Sequence, residues 1–325
     1  MRSEDSRRKA PSVVFVEGYD GTRRKERTMF RPKVKRRAIG LSLFIICVCA
    51  AATSQAATKR ILIVGDSWAM SLTSKNHDGF PSPDVFDKTL AENGLGDVET
   101  QGAVTAWGGR KASFWAKPEN LALIVAELNA YPAIDIVHLI IGGNDFLTAA
   151  RDNDLKVKTA EERAVIWEGI AKDIQAIVDG CLAVRDNIRV VIADYDYLDP
   201  RAAETYWKMD FHGASVAEFN GWLVELGRKK LDIAKKTPRC KYVQNWGTLQ
   251  YWFGSPAKAV AYPGKAPDYI PYPGGDMGSP MPAGISPDGI HPNEQAHAKM
   301  LQNAIDQYYG AWLKPVADSR QTEAK

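Results

Sequence analysis

Three short segments, far apart in the chain, hold residue types that could carry out chemistry together. They are Gly65-Asp66-Ser67, Gly142-Gly143-Asn144-Asp145 and Asp288-Gly289-Ile290-His291-Pro292. The first two follow apolar runs, and the third lies near the end of the chain. A serine, an amide donor, and an Asp and a His three residues apart are the groups needed for acyl transfer through a serine ester. Each segment alone is weak evidence, whereas the three together favour this chemistry.

The serine and the Asp-His pair have complementary roles in such a reaction. Ser67 is expected at the turn between a strand and a helix, where an N-terminus favours developing negative charge. One turn can present both Asp288 and His291, so that the carboxylate orients the imidazole. The imidazole then takes the serine proton and returns it to the leaving alkoxide. The non-catalytic alternatives are a helix cap at Ser67 and a surface Asp-Gly turn.

Asn144 could donate its side-chain N–H to an oxyanion, a contact worth roughly 3–4 kcal/mol in the transition state. Gly142 and Gly143 let the backbone approach closely, and an ordinary Asn-Asp turn is the alternative. The other histidines have simpler interpretations. We expect His138 to be a hydrogen-bonded core residue and His297 a solvated helix residue, while His77 and His212 lie in loops.

The motifs of metal and nucleotide sites do not occur in this sequence. It has no Cys/His cluster and no His-Glu spacing typical of zinc. The Gly108-Gly109 pair lacks the Lys-Ser/Thr of a phosphate-binding loop. We therefore expect no metal and no cofactor.

The elements that must position these residues alternate along the chain. Continuous apolar runs predict buried parallel strands at 60–64, 97–104, 134–141, 188–193 and 241–244. Helical patterns occupy 83–93, 121–128, 160–184, 215–235 and 292–312, with Pro292 near a helix start. This alternation predicts an α/β fold, a three-layer α/β/α sandwich around a doubly wound parallel sheet. Ligands bind such sheets at the carboxyl ends of the strands, where Ser67 and Asn144 are both expected.

Residues 1–56 are interpreted as a leader. An apolar run at 38–52 follows a basic stretch and precedes the small-residue pattern Ser54-Gln55-Ala56, which predicts a signal peptide over 29–56. Residues 1–28, before Met29, are interpreted as a mis-assigned or disordered extension. We expect export to the periplasm or medium, an uncleaved anchor being the alternative. Residues 57–315 then form one domain, and 316–325 form a tail.

The charge of the chain changes when the leader is set aside. The chain has 42 Lys and Arg and 39 Asp and Glu, of which 13 and 5 lie in residues 1–56. The remainder therefore has 29 basic and 34 acidic residues, a net charge of −5. Such a domain has no electrostatic basis for binding nucleic acid, and no membrane span is expected after cleavage.

Two features leave alternatives open. Cys181 and Cys240 remain after the leader, and in an exported protein they either form a disulfide or stay as buried thiols. The stretch 250–287 is rich in Pro, Gly and aromatic residues, and is either a substrate-binding wall or a surface loop. Its aromatic residues are Tyr251, Trp252, Phe253, Tyr262, Tyr269 and Tyr272.

At these segments the chain resembles the SGNH (GDSL-type) hydrolase superfamily, from about residue 60 to 312. The resemblance implies a flavodoxin-like fold of about five strands and metal-free ester hydrolysis. It implies that Ser67 is the nucleophile and, through its N–H, an oxyanion donor. Asn144 would be a second donor, and Asp288 and His291 would complete the triad.

The second block of that superfamily is where this sequence departs. Instead of the usual Asn-x-Gly-x-x-Gly-like pattern, the chain has Gly102 and then Trp107-Gly108-Gly109-Arg110-Lys111-Ala112. The resemblance assigns the glycine donor to Gly109, with Gly108 or Gly102 as alternatives. Trp68 replaces the leucine usual after the nucleophile, and Trp107 and Trp115 flank the loop. These residues, with Tyr251 and Trp252, are candidates for substrate contact.

The sequence therefore predicts an exported serine esterase, with O-acetyl or other short-acyl esters on carbohydrate as the preferred substrates. A lipid esterase or lysophospholipase is the nearest alternative. A glycan O-acetyltransferase using the same triad is another alternative, and a catalytically silent carbohydrate-binding module is the last. The sequence makes no prediction of the oligomeric state.

Overall fold

Five short apolar strands form one parallel sheet. The computed structural model describes residues 57–260 and 273–314. Its strands are β1 (Thr58–Gly65), β2 (Val98–Gln101), β3 (Ile136–Ile140), β4 (Arg189–Ala193) and β5 (Cys240–Val243). Their order is β2-β1-β3-β4-β5, and every neighbouring pair is parallel. This is the flavodoxin-like order, so the predicted fold class is confirmed, as are all five strands.

Helices connect the strands and cover both faces of the sheet. Those before β3 are α1 (Ser67–Ser71), α2 (Val85–Glu92), α3 (Ala112–Trp115) and α4 (Pro118–Ala130). The later ones are α5 (Gly143–Asp152), α6 (Ala160–Leu182), α7 (Pro200–Trp207), α8 (Val216–Lys236), α9 (Thr248–Phe253), α10 (Glu294–Ala304) and α11 (Gly310–Leu313). Helices α4, α6 and α8 form one layer, and α10 contacts both α2 and α9 in the other.

The long helices form where the sequence supplies a cap and an apolar stripe. Thr159 and Ser215 cap α6 and α8, each in a reciprocal capping box with a glutamate three residues later. The apolar side chains of Ile170, Ile174 and Ile177, which lie on one face of α6, are buried. Burying these side chains against the sheet contributes roughly 1.5–3 kcal/mol for each one.

The C-terminal helix differs from the prediction. Asn293 caps α10, its side chain accepting from the Ala296 N–H, so Pro292 lies outside the helix. A π-helical turn, Ile305–Tyr309, then separates α10 from α11. The turn brings the Tyr309 hydroxyl 2.6 Å from His138 Nδ1, which gives this core histidine its partner as predicted.

Cys181 and Cys240 are free thiols in the structure, and both are buried. Burial raises the pKa of each thiol to about 12. Protonated, buried thiols are unreactive, so the structure corresponds to the free-thiol alternative.

Several predicted features lie outside the described residues: the leader at 1–56, Tyr262, Tyr269 and Tyr272, and the tail at 316–325. Within residues 57–260 and 273–314, no helix combines the length and hydrophobicity needed to cross a bilayer.

Candidate active site

The turn at Asp288 and His291 is organised by a single carboxylate. Asp288 Oδ1 accepts hydrogen bonds from the backbone N–H groups of Ile290 and His291, at 2.9 and 2.8 Å. Asp288 Oδ2 lies 2.7 Å from His291 Nδ1. Burial raises the pKa of Asp288, but the bonds from the His291 ring and the two N–H groups together hold that pKa below its usual value. An ionised carboxylate only accepts, so Nδ1 donates to it and Nε2 is free to accept.

Ser67 lies on the other side of the imidazole. Its Oγ is 2.8 Å from His291 Nε2, which completes a continuous chain from Asp288 to the serine. Ser67 follows β1 and opens α1, with Asp66 as the N-cap accepting from the Trp68 N–H at 3.0 Å. A side chain at position 65 would put its Cβ 1.8 Å from the Ile140 carbonyl oxygen, so the turn requires glycine there.

Three glycines were candidates for the oxyanion donor, and the structure separates them. Gly109 lines the cleft in front of Ser67, and its N–H donates to no protein acceptor within the described residues. The Gly108 N–H donates to Asp78 Oδ2 at 3.1 Å. Gly102 lies against Thr73 and the Lys75 carbonyl, away from the cleft lining. The geometry therefore favours Gly109.

Asn144 lies in the first turn of α5, a helix that the sequence analysis missed. Its Nδ2 donates to the Arg110 carbonyl at 3.2 Å, which leaves the second N–H of the amide for a ligand. The next residue, Asp145, accepts from the Ala112 N–H at 2.8 Å. Asn144 and Asp145 together fasten the loop that carries Gly109 to the end of β3.

These groups open into one cleft of about 520 Å³. Its floor includes Ser67 and Trp68, and its walls are mainly apolar. None of the described residues that line it is Lys or Arg.

Of the five aromatic candidates for substrate contact, only Trp68 lines this cleft. Trp115 is fully buried and donates to the Gly65 carbonyl at 3.2 Å. Trp107 is stacked between His77, with ring centroids 3.6 Å apart, and the Arg110 guanidinium at 3.9 Å. Both tryptophans therefore shape the loop of Gly109.

Tyr251 and Trp252 also lie outside the cleft lining. Both belong to α9. Their rings pack edge to face at 5.1 Å, and the Lys299 ammonium lies 4.4 Å from the Trp252 ring. The start of the predicted binding wall is thus a helix packed onto α10.

Sequence reasoning missed most of the cleft walls. The missed residues are Met70, Phe80, Leu147, Tyr195, Leu198, Tyr206, Trp207, Met209 and Ile290. Several follow β4, whose carboxyl end meets the same edge of the sheet as those of β1 and β3. That placement is the signal that could have found them.

A buried polar network lies beneath Ser67. Tyr195 donates its hydroxyl to Asp66 at 2.5 Å and accepts the Gly143 N–H at 2.8 Å, so it links the serine turn to the start of α5. Lys230, fully buried, lies 4.4 Å from the Tyr195 ring and pairs with Asp194 at 2.8 Å. Burial raises the pKa of Asp66 to about 6, while the Tyr195 bond and Lys230 act in the opposite direction.

His297 does not lie on a solvated surface as predicted. It is 1% exposed and meets the Trp68 ring edge to face at 5.4 Å. Burial lowers the pKa of His297 to about 3, so the ring is neutral at ordinary pH. The helical pattern was interpreted correctly, but Trp68 covers the face that was expected to meet water.

The sequence matches no protein-family model and no curated protein. Among solved structures, a catalytic mutant of an acetylxylan esterase from Geobacillus stearothermophilus is 15% identical, with a TM-score of 0.46 over 77% of this chain and 94% of that chain. A carbohydrate acetylesterase family member from Sinorhizobium meliloti is 16% identical, with a TM-score of 0.42 over 76% and 95%. A putative platelet activating factor from Streptococcus pneumonia is 12% identical, with a TM-score of 0.42 over 81% and 87%.

Proposed function

We propose that this protein is a serine ester hydrolase. The observation that carries the proposal is the unbroken chain from Asp288 through His291 to Ser67, which ends in an apolar cleft. Ser67 Oγ attacks the ester carbonyl while His291 Nε2 takes its proton. The imidazolium then gives that proton to the leaving alkoxide, and water hydrolyses the acyl-enzyme by the same route.

The developing oxyanion is held by the N–H groups of Ser67 and Gly109 and by the Asn144 amide. Ser67 opens α1, where the first N–H groups of a helix have no partner within the helix. Such donors strengthen as the carbonyl oxygen gains charge, so they stabilise the transition state more than the bound ester.

The preferred substrates are O-acetyl or other short-acyl esters on carbohydrate. A cleft lined by aromatic rings and free of Lys and Arg among its described residues supports a neutral substrate of this kind. The apolar walls at Leu147, Leu198 and Met209 also favour a second candidate, a lipid esterase. A chain-length series of p-nitrophenyl esters beside acetylated xylan separates them, because a fall beyond butyrate supports the first and a maximum at octanoate or longer supports the second.

Covalent labelling tests the nucleophile directly. A fluorophosphonate probe should label the wild type and fail to label Ser67→Ala. The matched control is Ser71→Ala, since Ser71 lines the same cleft but its hydroxyl donates to the Ser67 carbonyl at 2.9 Å. Labelling of Ser67→Ala, or its loss in both variants, would contradict the assignment.

A transferase could use the same three residues. With p-nitrophenyl acetate and a xylo-oligosaccharide acceptor, the hydrolase releases free acetate at an undiminished rate. If acetylated sugar forms and free acetate does not, the protein is a glycan acetyltransferase.

We also propose that the protein is exported, on the basis of the basic and apolar stretches before Ala56. Cell fractionation and N-terminal sequencing of the mature protein test this. A cytoplasmic product that retains residue 29 would contradict it.

A further inference from the structure

An exposed aromatic pair lies next to the imidazole of the candidate triad. Tyr206 and Trp207 end α7 and are 59% and 43% exposed, although most large apolar side chains of the described residues are buried. The Trp207 ring lies 5.8 Å from the His291 ring, edge to face, and the two aromatic rings lie 5.0 Å apart. Both residues line the cleft.

The reaction itself fixes which half of the ester meets this pair. The leaving alkoxide must receive its proton from His291 Nε2, so the alcohol half lies next to the imidazole. The carbonyl oxygen points instead toward Gly109 and Asn144. Trp207 and Tyr206 therefore border the alcohol half of the substrate.

The helix that carries the pair is fastened to the catalytic turn. The Asp199 N–H donates to the Gly289 carbonyl at 2.9 Å, and Asp199 caps α7. A side chain at Gly289 would bring its Cβ within 2.3 Å of the Asp199 carbonyl oxygen, so this contact requires glycine between Asp288 and Ile290. The aromatic pair thus keeps a fixed position relative to His291.

We propose that Trp207, with the Tyr206 ring meeting it edge to face, forms a stacking platform for the sugar ring on the alcohol side of the ester, an inference that rests on the proposed hydrolase function. A pyranose presents a C–H face to an aromatic ring and keeps its hydroxyl groups in water at the rim. Both rings are half exposed, which suits a ligand of this kind. Thr205 and Lys208, which flank the pair, are polar and exposed, so the patch is far smaller than a membrane-binding surface.

The test holds the acyl group constant and changes the alcohol. We compare acetylated xylotriose with ethyl acetate by measuring acetate release, in the wild type, Trp207→Ala, Trp207→Phe and Val165→Ala. Trp207→Ala should lower kcat/KM about tenfold on the sugar ester and less than about twofold on ethyl acetate. Trp207→Phe should recover most of the loss, because it keeps a ring. Val165, 74% exposed on α6 and outside the cleft lining, is the surface control.

The outcomes separate this inference from the proposed function. Equal losses on both esters in Trp207→Ala, or no loss on either, overturn the platform while Ser67→Ala still abolishes hydrolysis. If Ser67→Ala keeps its activity, the hydrolase proposal itself fails. Weaker binding of Trp207→Ala to phosphatidylcholine vesicles, with unchanged sugar-ester kinetics, would assign the pair to lipid and also overturn the platform.

Discussion

The two sides of Ser67 are built in different ways. On the acid–base side, Asp288 and His291 lie three residues apart, and one carboxylate orients both its own turn and the ring. On the proposed oxyanion side, the candidate donors come from three distant segments, and the Arg110 carbonyl accepts from the Asn144 amide at 3.2 Å. The first side is therefore encoded locally and the second by tertiary packing, so substitutions far from the cleft should disturb the oxyanion side more.

The largest expected effect is on the acid–base side. Replacing His291 by Ala removes the only group placed to take the Ser67 proton among the described residues, so kcat should fall roughly 10⁴- to 10⁶-fold. Steady-state hydrolysis of p-nitrophenyl acetate measures this. His212→Ala is the control, since that histidine contacts the Arg151 carbonyl on an exposed loop. A variant at position 291 with more than about 1% of wild-type activity contradicts the assignment.

Asn144→Ala tests the oxyanion side and should have a smaller effect. Loss of one oxyanion donor lowers kcat about 10²- to 10³-fold and changes KM little. Asp145→Asn is the variant for comparison. Asp145 holds the same loop through the Ala112 N–H but does not line the cleft. If Asn144→Ala raises KM alone, its amide binds the ground state and the comparison between the two sides is incorrect.

The pH dependence of stability tests the packing beneath Trp68. Burial lowers the pKa of His297 from 6.5 in the unfolded chain to about 3. Above pH 6.5 the ring is neutral in both states, so its burial costs the fold no protonation free energy. As the pH falls from 6.5 toward 3, the unfolded chain binds a proton that the fold excludes, and stability decreases. His297→Leu should remove up to about 3 kcal/mol of that decrease at pH 4.

Urea unfolding of both proteins at pH 7 and pH 4 gives the required difference. The other titrating groups are present in both proteins, so their effects cancel in the difference between the wild type and His297→Leu. These include Asp66 and Asp196, whose pKa values are raised by burial to about 6 and 7 and which act in the opposite direction. Equal pH dependence in the two proteins would mean that His297 is protonated in the fold.

Tyr195→Phe should give the smallest effect, because it removes one hydroxyl that joins the two sides. The Gly143 N–H then loses its acceptor and Asp66 loses a donor, which costs about 1–3 kcal/mol of stability. We expect kcat to fall about tenfold with little change in KM, because the start of α5 is no longer held in position relative to the serine turn. Thermal unfolding and kinetics together measure this. A stability loss with unchanged kcat would make Tyr195 purely structural.

The sequence predicted those parts of the molecule whose cause is local. Continuous apolar runs set all five strands, and the spacing of Asp288 and His291 set their pairing, since three residues fit one turn. The fold class followed from the alternation of strands and helices. The strands and the Asp288–His291 pairing depend on residues within a few positions of one another.

The remaining features depend on contacts that the sequence does not display. Trp115 and Trp207 are the same residue type, yet one is fully buried against the Gly65 carbonyl and the other borders the cleft. His297 has a helical pattern like any surface histidine until Trp68 covers it. The walls of the cleft follow from which loops leave the carboxyl ends of neighbouring strands, and hence from the strand order.

The lysine beneath the cleft limits how the interior can be varied. Lys230 serves as counter-ion to two acids, Asp194 by direct contact and Asp66 through its electrostatic field. A neutral residue at 230 alone would leave the buried Asp194 carboxylate without its counter-ion, whereas a paired neutral replacement at 194 and 230 avoids that penalty at Asp194. In combinatorial libraries, these two positions should therefore covary, even though neither one lines the cleft.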